Sequence, residues 1–92
     1  MTNEHLTALL EVGGAKVEDG WSVLGPERTM TLHVAFQGAA LNVSKIHRLT
    51  VKGELVFAGS TRGETTIIQL ADIFAGSVDG QAQSLRSAGF RA

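Results

Sequence analysis

Ninety-two residues, 43% hydrophobic and 18% charged, suffice for one hydrophobic core and not for two, and are more apolar and less charged than a typical monomer. Eight Lys and Arg against nine Asp and Glu leave a net charge of -1, which disfavours nucleic acid, because that partner needs a clustered basic surface able to displace several counterions. The absence of cysteine excludes disulfides, thiolate nucleophiles and Cys-ligated zinc, and the apolar runs fall far short of the ~20 residues of a membrane-spanning helix.

TNEHLTALLEVGG reads as a short amphipathic helix. Thr2 or Asn3 can cap its start, Glu4 favours the positive end, and Gly13 is a candidate left-handed terminator. Leu6, Leu9 and Leu10 share one face, and a helix of barely three turns must lay that face on something to persist in water. AKVEDGWSVL then offers Asp19-Gly20 as a two-residue hairpin turn between short β-prone arms. GPER interrupts the sheet, since Pro26 fixes φ and lacks a donor.

MTLHVAFQ alternates cleanly, with Met30, Leu32, Val34 and Phe36 on one face, so Phe36 is expected in the core along with Phe57. Gly38 with a neighbour turns the chain into ALNV. IHRLTV runs to a turn at Lys52-Gly53, ELVFAG returns, and GSTRG reverses the chain into ETTIIQL. The closing segment GQAQSLRSAG has room for one or two helical turns. The whole is predicted as one small α+β, mainly β domain over residues 1–92. A short N-terminal helix (1–13) packs on a strongly curved antiparallel meander or small partly open barrel (15–79), and a tail (80–92) follows.

LNVSKIHRLTVKG (41–53) and IQLADIFAGSVDG (68–80) echo one another: Ile46 falls on Ile73, Val51 on Val78 and Gly53 on Gly80. In both, two alternating apolar residues precede a small residue, a charged residue and an isoleucine. Strict alternation would turn that isoleucine away from the core, so the chain has to bend at Ser44-Lys45 and again at Ala71-Asp72. The echo is therefore read as a rule for turning sheet corners rather than as a functional motif.

Within LTVKGELVFAG the chain resembles the glycine-punctuated strands of bacterial β-helical scaffold proteins, but the short repeated coils those proteins need do not continue, and no activity or site follows. Candidate chemistry is sparse. His33 lies opposite the apolar face of its strand, and His47 sits in a strand beside Leu49 and Val51; either could act as an acid or base with a carboxylate such as Glu54 or Asp72. No HExxH, calcium-loop or GxSxG spacing is present, so no catalytic residue, metal or cofactor is assigned. GSTRGE could hold an anion on its backbone donors and Arg62, although Glu64 opposes this. Trp21, directly after a tight turn, is either a lid on the core or a contact for a partner.

These features favour a small homo-oligomeric binding or assembly module without catalytic activity, a dimer being its simplest form. Trp21, His33, His47, Arg48 and Arg62 are its candidate contact residues. One alternative is a cofactor-free enzyme or ligand carrier with a pocket in the curved sheet using His33 or His47. Another is a nucleic-acid binder through Arg48, Lys52 and Arg62. Charge is graded along the chain: five acids and two bases up to Met30, then six bases and four acids, a bias suited to steering self-association. Without a recognisable signal peptide, a cytoplasmic location is expected.

Overall fold

The computed structural model describes residues 1–80; the helical turns expected in the tail lie outside the described residues. Helix α1 (Asn3–Val12) leads into strands β1 (Lys16–Glu18), β2 (Trp21–Val23), β3 (Arg28–Phe36), β4 (Ala39–Lys52), β5 (Leu55–Ser60) and β6 (Thr65–Gln69). One 3₁₀ turn (Leu70–Asp72) then precedes β7 (Ile73–Gly80). Every strand pairing is antiparallel, and the sheet is a curled meander that does not close into a barrel. The pairing is not that of parallel β-helical coils.

Thr2 is the N-cap of α1, its hydroxyl accepting from the His5 amide at 3.1 Å. The C-terminal expectation is corrected by one residue. Gly13 keeps a right-handed φ of -79°, and Gly14 takes the left-handed one at +67°. Gly13 is needed for space instead, since a Cβ there would come within 2.6 Å of Leu24 Cδ2. Leu6 is buried and Leu9 and Leu10 half-buried against the sheet, as the helical spacing predicts.

The hairpin turns are set by residues that tolerate positive φ. Asp19-Gly20 (54° and 83°) joins β1 to β2, and Gln37-Gly38 (51° and 83°) joins β3 to β4. The β4–β5 turn is Gly53-Glu54 rather than Lys52-Gly53: Lys52 stays in the ladder opposite Leu55, and only Gly53 (φ 62°) needs the left-handed region.

Strand β4 organises the sheet. Its first half pairs with β3 and its second half with β2 and β5. The change of partner occurs at a bulge, where the register slips between the Met30↔Ile46 and Leu32↔Val43 pairs and Lys45 adopts a φ of 61°. The second corner is the 3₁₀ turn Leu70–Asp72 between β6 and β7. Ile46 and Ile73, the echoing isoleucines, follow these two irregularities, and both are buried. The bends expected at Ser44-Lys45 and Ala71-Asp72 are thus present, and each returns its isoleucine to the interior.

Met30, Leu32 and Val34 project from β3 into a core completed by Leu6, Leu49 and Val56. Phe36, fourth on the same face, departs from expectation with 53% exposure. The β3–β4 hairpin runs past the end of the core, so no described element lies beneath its last inward-facing residues. Phe57 is half-buried on the opposite face, with the Lys52 ammonium 5.4 Å from its ring centre.

Candidate interaction site

The open seam of the sheet begins where Thr61 donates its amide to the Lys45 carbonyl at 2.9 Å. Beyond that bond, among the described residues, β6 pairs only with β5, and the first half of β4 pairs only with β3. Two strand edges therefore border the seam. Neither carries a charge over its exposed length: Ala39 to Ser44 on β4, Thr65 to Gln69 on β6. Edge strand β1 contrasts with both, since it is three residues long and bears Lys16 and Glu18, the usual devices against unwanted pairing.

Two adjoining cavities occupy the seam. One of about 330 Å³ is bordered by Asn42, Ser44, Lys45, Ser60, Arg62 and Thr66. The other, about 310 Å³, lies between the overhanging hairpin and β6 and is lined by Val34, Phe36, Leu41, Val43, Ile67 and Ile68. Phe36 and Leu41 (55% exposed) on the inner side of the hairpin, and Ile67 (58%) at the β6 border, leave apolar surface at the seam open to solvent. Phe36, Leu41 and Ile67 were not among the sequence candidates. Alternation assigns Phe36 and Leu41 to the core face, and only the overhang exposes them.

Trp21 and Arg48 are brought together on the outer face of the sheet, with the guanidinium carbon 4.3 Å from the indole centre. The arrangement is built by local constraints. The Thr50 hydroxyl donates to the Gly20 carbonyl at 2.9 Å and pins the β1–β2 turn, while Gly59 leaves room for the arginine stem. A Cβ at Gly59 would lie 2.7 Å from Arg48 Nε. Because the chain has one tryptophan, emission reports this contact directly. Arg48→Ala is expected to lower stability by about 0.5–1 kcal/mol and change Trp21 emission. Gly59→Ala should change the emission in the same direction by pushing Arg48 off the ring; identical spectra for wild type and both variants would show that the stack is not formed.

The other sequence candidates lie apart. His33 donates from Nδ1 to Asn42 Oδ1 at 2.7 Å on the outer face, with its ring centre 6.1 Å from that of Phe74. His47 lies past the bulge, where its buried Nδ1 has no hydrogen-bond partner among the described residues. Neither histidine borders the seam cavities. Arg62 does border the larger one, but its loop is not an anion cradle. The Ser60 hydroxyl accepts from the amides of Arg62 (3.1 Å) and Glu64 (3.2 Å), and the Gly63 amide donates to the Ser60 carbonyl. The backbone donors that would meet an anion are already used. Among the described residues no three His, Asp or Glu side chains converge as metal ligands, and no helix is long and apolar enough to cross a membrane.

No family model, curated protein or solved structure gives a significant match to the chain. Functional inference therefore rests on the seam and its chemistry.

Proposed function

We propose that this protein is a small self-associating assembly module, with the open seam as its contact surface. The observation that carries this reading is the coincidence, in one place, of exposed apolar side chains and two uncharged strand edges that have no partner on their seam side among the described residues. Phe36, Leu41 and Ile67, each already about half covered, would leave water on association, contributing roughly 0.8–1.5 kcal/mol apiece if fully covered. A chain of this length buries only about 60–65% of its extended surface when folded alone, so association adds to a thin margin of stability.

Sedimentation equilibrium tests the proposal. The expected result is a reversible increase in mass with concentration, accompanied by a melting temperature that falls on dilution. A monomer at every concentration, with a dilution-independent melting temperature, would reject it.

A further inference from the structure

We infer that two copies of the chain join edge to edge through β6, antiparallel about a two-fold axis passing through Ile67; this deepens the self-association reading and rests on it. Along β6, half of the backbone groups have no partner among the described residues. Ser60 donates to the Glu64 carbonyl and Leu70 to the Glu54 carbonyl, and the β5–β6 register keeps the same spacing between them. In an antiparallel pair, residues that exchange hydrogen bonds alternate with residues that do not. Thr66 and Ile68 therefore direct their N–H and C=O groups at β5, while those of Thr65, Ile67 and Gln69 point out into the seam.

A two-fold at Ile67 satisfies all of these groups at once. Ile67 meets Ile67 of the second copy, and Thr65 meets Gln69 in both directions, each pairing exchanging two hydrogen bonds. The side chains agree with this register. Ile67, exposed on the outer face, covers its own counterpart, extending the surface formed by Leu55 and Phe57 beside it in β5.

Charge provides an independent argument for a second copy. Arg62 and Asp72 lie equal distances along the chain from Ile67, on opposite sides, and the described residues contain no ion pair that engages either. Arg62 borders one seam cavity and Asp72 the other, at opposite ends of β6, so the two-fold sets the Arg62 end of each β6 beside the Asp72 end of the second copy. The β4 edge is less suited: the Asn42 side chain is committed to His33, and the Lys45 bulge breaks its run.

The test exploits the absence of cysteine from the chain. In this register the paired α-carbons lie about 5.5 Å apart, within disulfide range. Under mild oxidation Ile67→Cys should cross-link to itself. Thr65→Cys and Gln69→Cys should each stay monomeric on a denaturing gel when oxidised alone, yet cross-link when mixed. Ile67→Lys, an exposed position that leaves the core intact, should weaken dimerisation about tenfold or more by burying like charges together at the axis. Arg62→Asp should also weaken it, and the Arg62→Asp/Asp72→Arg double variant should restore it. Undiminished association of Ile67→Lys, together with no Ile67→Cys cross-link, would overturn this register while leaving self-association standing. A wild-type chain that never associates would overturn both.

Discussion

Leu32→Ala is expected to lower the free energy of unfolding by about 2–5 kcal/mol, the range for removing a buried leucine and leaving a partly collapsed cavity. Leu32 is 0% exposed at the middle of β3 and pairs with Val43 on one side and Gly76 on the other, so its side chain sits where both halves of the curled sheet meet the helix. A domain of this size commonly has only about 5–15 kcal/mol in total, so the loss takes a large share. Urea denaturation should show a lower midpoint with an unchanged slope. Val17→Ala is the matching control: Val17 is 76% exposed on the edge strand β1, and its truncation should stay within about 0.5 kcal/mol of wild type. Equal midpoints for Leu32→Ala and Val17→Ala would mean that the β3 face is not the centre of the core.

The contrast between Leu32 and Phe36 shows what periodicity can and cannot reveal. Alternation places both on the same face, and the structure agrees. Burial also depends on whether another element lies opposite, and none of the described elements reaches the end of the β3–β4 hairpin. The corners were legible because a period-two pattern cannot return Ile46 or Ile73 to the interior without an irregularity before it. The turns were legible where glycine had to supply positive φ, although the β4–β5 turn is displaced by one residue to Gly53-Glu54 because Lys52 remains in the ladder. The seam was much harder to read. It arises because β4 exchanges β3 for β5 as its partner, a relation among distant segments for which local sequence has no signal. Trp21 and Arg48 were each identifiable as contact residues, but their mutual contact depends on the β2–β4 pairing. The absence of charge from 65–69 was visible throughout, and it acquired meaning only once that strand was seen to form an edge.

Gly76→Val should be destabilising by about 1–3 kcal/mol, through overpacking rather than loss of backbone freedom. A Cβ at Gly76 would lie 2.5 Å from Leu9 Cδ1, 3.1 Å from Leu32 Cδ2 and 3.4 Å from the Thr31 carbonyl oxygen. Gly76 thus lets α1 settle on β7 with Leu9 and Leu32 meeting above the bare backbone. Valine is otherwise the better strand former, so a simple propensity effect would have the opposite sign. The Leu9 contact can be isolated by a double-mutant cycle. Leu9→Ala alone removes packing and should destabilise, but it also vacates the space that the introduced valine side chain needs. The Leu9→Ala/Gly76→Val chain should therefore be more stable than the sum of the single effects implies, by roughly 0.5–3 kcal/mol, the range for residues in direct contact. Additive losses in urea denaturation would mean that α1 does not rest on β7 at Gly76, and the helix would need another seat on the sheet.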